Sequence, residues 1–195
     1  MHLKIYLFLL ALGTVSTQAQ FAHLTMQSQP GDYIGQGLSY DITYTPANSY
    51  YFSPQVRSTL PSGAPAELLF VLGDGAYTPF AALFFGTDQL GIPMQPGYYP
   101  NAQRADFAAP GHPGLDVEFD GRGSNTVLGN FTVNEFTYSP TLGIESFSAT
   151  FEQHSEGGTP ALFGTFIFQI PEPQVLSLLA LSAIVLPCRK RWKRK

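Results

Sequence analysis

Three acidic residues in one short segment could bind a cation. Asp116, Glu118 and Asp120 alternate with Val117 and Phe119, so on a β-strand the three carboxylates would share one face. Carboxylates crowded in this way repel one another, and their oxygens suit a hard cation such as Ca²⁺. The spacing does not match an EF-hand loop, and a solvated strand face explains the same pattern. Calcium binding here is a hypothesis, and the sequence indicates no other cofactor.

A second segment could combine an imidazole with carboxylates. Glu152, His154 and Glu156 also alternate, and such a trio could bind a metal ion or act in acid–base catalysis. No second histidine lies nearby in the sequence. We therefore favour the simpler interpretation, a polar strand end that leads into a turn at Gly157 and Gly158.

The sequence does not indicate an enzyme. It contains no Gly-x-Ser-x-Gly motif around a nucleophilic serine, and Ser124 lies in a segment typical of turns. The segment Gly121-Arg122-Gly123 lacks the lysine of a phosphate-binding loop. We predict no catalytic residues.

Charge is distributed very unevenly along the 195 residues. The formal net charge is −4, yet six of the ten basic residues lie between residues 189 and 195. Residues 21–171 contain thirteen acidic groups, three arginines and no lysine, which gives about −10. An acidic segment without a basic patch argues against nucleic-acid binding.

Alternating polar and apolar residues predict β-strands in the acidic segment. Residues 38–45 and 147–152 alternate with a period of two, which is typical of strands with one buried face. The alternation changes phase at Asn134 and Glu135, where we expect a β-bulge. Continuous apolar runs predict strands that are central or buried on both faces, and these runs are residues 68–72, 81–85 and 162–170.

Turn-forming residues separate the predicted strands. Gly, Pro, Asn and Asp cluster between them, and no stretch of the segment has a convincing helical period. About 150 residues are enough for one core without disulfides. We predict an all-β fold, a single β-sandwich over residues 20–169, with a jelly roll or a barrel-like fold as the alternative.

The N-terminus has the features of a secretory signal peptide. Lys4 precedes the apolar residues 5–12, and Thr17-Gln18-Ala19 suits signal peptidase. We predict a signal helix within residues 1–19 that is cleaved between Ala19 and Gln20. The alternative is an N-terminal helix buried in the fold.

The C-terminus combines prolines, a short apolar run and a basic tail. Pro171-Glu172-Pro173 is followed by an uncharged segment at residues 175–188 and by the tail at residues 189–195. A helix of 14 residues spans ~21 Å. The hydrocarbon core is ~30 Å thick, and flanking Lys, Arg and Trp side chains can make up the difference. We predict a transmembrane helix with its basic tail in the cytoplasm and the acidic segment outside.

Residues 170–195 resemble the PEP-CTERM sorting signal of Gram-negative bacteria. That signal consists of Pro-Glu-Pro, a short transmembrane helix and an arginine-rich end. The resemblance implies recognition by the membrane protease exosortase and processing near Pro171, Glu172 and Pro173. It also implies an inner-membrane precursor, then a product in the periplasm, on the outer surface or in the exopolysaccharide matrix. An ordinary anchor without processing is the alternative.

The acidic segment itself resembles an uncharacterised exported domain that occurs with such tails. The similar patches lie at residues 30–35, 96–104, 121–133 and 151–164. Relatives commonly have cysteine where this chain has Ser124 and Ser155, which implies that these two positions lie on neighbouring strands and could form a disulfide. The resemblance implies no activity.

Together these features predict a non-catalytic exported protein of the cell surface or exopolysaccharide matrix. Its partners would be signal peptidase, exosortase, transiently the inner membrane, and exopolysaccharide. One alternative is a carbohydrate- or calcium-binding adhesion module, and another is a polysaccharide hydrolase, which would need two carboxylates across a cleft. Six tyrosines could form a sugar-binding face or fill the core: Tyr40, Tyr44, Tyr50, Tyr51, Tyr98 and Tyr99.

Overall fold

The computed structural model describes residues 20–74, 76 and 78–170. This part of the chain forms ten β-strands. The strands are β1 (Phe21–Ser28), β2 (Ser39–Tyr44), β3 (Tyr51–Thr59), β4 (Pro65–Gly73), β5 (Ala81–Gly86), β6 (Gly97–Gln103), β7 (Gly114–Phe119), β8 (Val127–Ser139), β9 (Gly143–Ser155) and β10 (Ala161–Gln169). Two short 3₁₀-helices lie at Asp88–Leu90 and Ala105–Phe107.

Several predictions concern residues outside the described part of the chain. These are the signal peptide with Ala19, the sorting motif Pro171-Glu172-Pro173, the transmembrane helix 175–188 and the basic tail 189–195. Among the described residues, no helix is both long and apolar enough to cross a membrane.

The strands follow the alternation of the sequence. Tyr40, Ile42 and Tyr44 of β2 point inward, and Phe147 and Phe151 of β9 do the same. The bulge expected at residues 134–135 is confirmed, because the register between β8 and β9 slips there. Strand positions that depend on local patterning are therefore well predicted.

The apolar runs form strands as expected, but they differ in burial. β4 and β5 are mostly buried. β10 was expected to be central in the sheet or buried on both faces, and the first alternative is confirmed, since β10 lies between β1 and β9. Its outer face is not buried, because Phe163 is 39% exposed.

All ten strands belong to one sheet, in the order β2-β1-β10-β9-β8-β6-β7-β5-β4-β3. The neighbours are antiparallel except β6 and β7, which are parallel and share one register pair, Gln103 with Gly114. The sheet curls until it nearly closes into a barrel. The all-β prediction is confirmed, and the barrel-like alternative describes the domain better than two separate sheets.

The core fills the inside of this curled sheet with aromatic rings. Phe70 of β4 lies 5.2 Å from Phe147 of β9 and 4.7 Å from Phe166 of β10, measured between ring centroids. Phe85 of β5 lies 5.0 Å from Phe147. These contacts join strands from opposite halves of the sheet, so that burial of aromatic area stabilises the curled form.

A buried glutamine completes the sheet where β6 and β7 diverge. The side chain of Gln153, on β9, is fully buried and crosses to β7. Its Oε1 accepts a hydrogen bond from the N–H of Val117 at 2.8 Å, and its Nε2 donates to the Val117 carbonyl at 3.0 Å. Since β6 pairs with β7 only at Gly114, the Gln153 amide takes the place of a strand partner.

Candidate functional site

The acidic residues of β7 are placed differently from one another. Asp116 is only 3% exposed, and its Oδ2 accepts a hydrogen bond from Arg104 Nε at 3.0 Å. Asp120 is exposed beyond the end of β7, where its Oδ2 lies 3.5 Å from Arg122 Nη1. The interpretation as a solvated strand face is therefore wrong for Asp116. Glu118 lies between these two cases, because its side chain is half-buried.

The calcium hypothesis for Asp116, Glu118 and Asp120 stays a prediction. Within the described ranges, no group of three or more His, Cys, Asp or Glu side chains is arranged to hold a metal ion. Asp116 Oδ1 is nevertheless buried without a hydrogen-bond partner. Burial raises the pKa of Asp116 to about 6, against the opposing effect of the Arg104 hydrogen bond.

Asp116 should make the domain more stable in mild acid. Its pKa is about 6 in the fold and 3.8 in a free side chain, so the folded state binds the proton more tightly. Stability from this group is fully present below about pH 4 and is lost as the pH rises through about 6, by roughly 2 to 3 kcal/mol. Urea unfolding across this range should show the loss, and Asp116→Asn should remove it. The control Glu145→Gln should retain it, and an unchanged profile in Asp116→Asn would contradict the assignment.

Glu152 and His154 contact each other, whereas Glu156 lies apart. His154 Nε2 is 3.0 Å from Glu152 Oε1, and Asn130 Nδ2 donates to Glu152 Oε2 at 3.0 Å. These hydrogen bonds lower the pKa of Glu152. Glu156 follows β9 and accepts hydrogen bonds from the backbone and side chain of Asn125. The arrangement agrees with a polar strand end.

Three of the patches that carry the resemblance meet at one end of the barrel. Arg122 Nε donates to the Ile34 carbonyl at 2.8 Å and thereby joins two of the loops. Ser124 Oγ donates to Ser155 Oγ at 2.8 Å, and both serines are buried. The expected proximity of these serines is confirmed, although Ser124 lies in the loop before β8 rather than on a strand.

The serine pair should accept an engineered disulfide. Ser124→Cys/Ser155→Cys, in a chain ending at residue 170 so that Cys188 is absent, is expected to oxidise after export because the two Oγ atoms are in contact. The closed loop should stabilise the domain by about 3 to 4 kcal/mol. Thiol labelling and thermal unfolding with and without reductant measure both effects, with the two single variants as controls. Two thiols that stay free after export would contradict the expectation.

An open groove of about 580 Å³ lies on the outer face of the sheet. We call it the outer groove, and five strands contribute to it: β2, β1, β10, β9 and β8. Its outward side chains are Thr25, Gln27, Ser39, Asn130, Thr150, Glu152, Phe163 and Thr165. The strand register arranges them in two parallel rows.

The first row consists of Ser39, Gln27, Phe163, Glu152 and Asn130, each opposite the next on the neighbouring strand. The second row consists of Thr25, Thr165 and Thr150. It continues beyond the groove to Asp41 on one side and to Thr132 and Tyr98 on the other. Hydroxyls and amides in rows can donate and accept hydrogen bonds along an extended ligand. Phe163 supplies an apolar ring between Gln27 and Glu152.

The tyrosines predicted as a possible sugar-binding face are divided between core and surface. Tyr44 and Tyr99 are buried, and Tyr40 packs against Phe119 with ring centroids 4.6 Å apart. The other three, Tyr50, Tyr51 and Tyr98, are exposed. Sequence reasoning missed Phe163, because a continuous apolar run does not show which of its residues face outward.

The groove lining contains one carboxyl group, that of Glu152. A glycoside hydrolase of the usual kind needs two carboxyl groups facing the scissile bond. The lining of the outer groove does not contain such a pair.

Comparison with known proteins adds no relative to this picture. No protein-family model, no curated protein and no solved structure matches the chain.

Proposed function

We propose that the chain is a non-catalytic exported protein, processed by exosortase, whose β-domain binds polysaccharide of the cell surface or extracellular matrix. The outer groove carries the proposal, because it places hydroxyl, amide and carboxylate groups around one exposed aromatic ring. Sugars present the same combination of hydroxyl groups and apolar C–H faces, which hydrogen-bonding side chains and aromatic rings complement.

The rows support an extended ligand. Four strand spacings separate the strand of Ser39 from that of Asn130, which corresponds to ~19 Å. Along this line, backbone hydrogen bonds of the sheet fix the strands that carry these side chains. The polar groups are therefore placed before a ligand arrives. A rigid polar face of this length suits several units of a polymer.

Polysaccharide binding is testable with the full-length chain in a detergent that has no sugar headgroup. Exopolysaccharide isolated from the producing cells should retard the wild-type protein in affinity electrophoresis. Phe163→Ala should weaken binding about tenfold, since a stacking ring is lost, whereas Leu142→Ala should have no effect because this exposed residue lies outside the groove. Equal retardation of Phe163→Ala and wild type would contradict binding in the outer groove.

The second candidate function is a carbohydrate- or calcium-binding adhesion module. It would use the same outer groove if its ligand were the polysaccharide of a neighbouring cell. Calcium dependence of binding would distinguish this candidate from the first. Binding that requires millimolar Ca²⁺ in the wild type and is lost in Glu118→Gln would favour the adhesion module.

Processing by exosortase is tested separately from polysaccharide binding. Replacing Pro171, Glu172 and Pro173 together by alanine should leave an unprocessed precursor in the inner membrane, because the proline-rich segment no longer presents the processing site. Cell fractionation and intact mass measure this outcome. Normal processing of the triple variant would contradict the PEP-CTERM assignment while leaving polysaccharide binding untouched.

A further inference from the structure

We infer that the outer groove selects a saccharide that carries positive charge, such as a polymer of amino sugars with free amines, over neutral and acidic saccharides. This inference rests on the proposed function and adds the chemical class of the ligand. It depends on where the described residues place their charges.

No permanent positive charge lines the groove. The described residues contain three arginines and no lysine. Arg57 pairs with Asp106 at 2.8 Å, Arg104 with Asp116 at 3.0 Å, and Arg122 with Asp120 at 3.5 Å. None of these arginines is among the residues of the outer groove. A uronate, sulfate or phosphate on a sugar would therefore find no permanently charged cation there.

Negative charge does reach the groove, from Glu152 in its lining and from Asp41 just outside it, opposite the lining residue Thr25. Glu152 stands beside Phe163 in the first row, and Asp41 continues the second row beyond the groove. Each carboxylate has a histidine as its basic neighbour, with His154 3.0 Å from Glu152 and His23 2.7 Å from Asp41. Histidine, unlike arginine, does not carry a permanent charge. An ammonium group can thus gain a charge-assisted hydrogen bond from Glu152 within the groove or from Asp41 beside it.

The domain as a whole reinforces this local preference. Thirteen acidic groups against three arginines give the described residues a charge of about −10. The resulting field attracts a polycation to the surface and repels a polyanion. Phe163 adds to the selection, because a cation over an aromatic face is favourable.

Glu152 contributes most to the discrimination. Asn130 and His154 each bind one of its two oxygens, and a carboxylate can accept about four hydrogen bonds, so it has capacity for a further donor. Its side chain is 35% exposed, which leaves the carboxylate accessible to a ligand. Asp41 is far more exposed and should contribute less.

The experiment compares three soluble hexasaccharides by calorimetry with the full-length chain in a detergent without a sugar headgroup. They are a glucosamine hexamer, its N-acetylated neutral counterpart and a uronic-acid hexamer. At a pH where the amine is protonated, we expect the glucosamine hexamer to bind at least tenfold more tightly than the neutral one. Glu152→Gln should abolish that difference, and Glu145→Gln, a change of the same charge outside the groove, should leave it intact.

The outcomes separate the inference from the proposed function. Equal affinity for the charged and neutral hexamers, with both lost in Phe163→Ala, would overturn the inference and leave polysaccharide binding standing. A loss of selectivity in Glu145→Gln as large as in Glu152→Gln would also overturn it, because attraction to the acidic surface alone would explain that result. Binding of none of the hexamers, nor of the native exopolysaccharide, would overturn the proposed function itself.

Discussion

Gln153→Ala should lower the free energy of unfolding by about 2 to 6 kcal/mol. The substitution removes both hydrogen bonds to the backbone of Val117 and leaves a buried N–H and a buried carbonyl without partners. Each unsatisfied buried group costs about 1 to 3 kcal/mol. Urea unfolding of residues 20–170 followed by far-ultraviolet circular dichroism measures the effect.

Two further variants test whether the hydrogen bonds are the cause. Gln153→Glu keeps an acceptor for the Val117 N–H but places a carboxylate against the Val117 carbonyl, so we expect it to be more stable in acid, where the side chain can donate, than at neutral pH. The control Gln169→Ala, at an exposed position of β10, should change stability by less than about 0.5 kcal/mol. A Gln153→Ala protein as stable as wild type would refute the role assigned to this side chain.

Gly164→Ala should destabilise the domain by about 3 kcal/mol. Gly164 of β10 lies opposite Phe151 of β9 and faces the core. A Cβ atom at this position would overlap the Phe151 ring and lie 2.8 Å from the carbonyl oxygen of Thr25. The ring can move, but the carbonyl belongs to the β1 backbone, so the strand itself must shift.

A matched glycine on another strand provides the control. Gly97 of β6 has ordinary backbone geometry, and the nearest atom to an added Cβ would be Tyr99 Oη at 3.8 Å. Gly97→Ala should therefore be tolerated within about 0.5 kcal/mol. In the double variant Gly164→Ala/Phe151→Leu, the smaller side chain should recover part of the loss. If Gly164→Ala and Gly97→Ala unfold at the same urea concentration, the close packing of Gly164 is refuted.

Features that depend on neighbouring residues could be predicted from the sequence. The strands β2 and β9 follow from alternation, and the bulge at residues 134–135 follows from a change of phase within one strand. The all-β fold follows from many such local patterns. The clusters of Gly, Pro, Asn and Asp indicated where one predicted strand ends and the next begins.

Features that depend on distant residues were missed. The burial of Asp116 requires Arg104, which reaches it from the end of β6. The role of Gln153 requires a gap beside Val117, 36 residues away in the chain. The outer groove combines residues from five strands, so no single segment of sequence has its composition. Period-two patterns report which face a residue occupies but not which strand lies beside it.

The order of the sheet has a consequence for how the domain opens. It begins with β2 and ends with β3, so the two free edges belong to strands that are consecutive in the chain. No hydrogen-bonded ladder joins these two edges, so separating them would leave all nine strand pairings of the sheet intact. Amide protons along these edges should exchange with solvent before those of β9 and β10. Such an edge would also invite pairing with another chain, and Pro54 in β3, which has no N–H to donate, makes that edge a poorer template for aggregation.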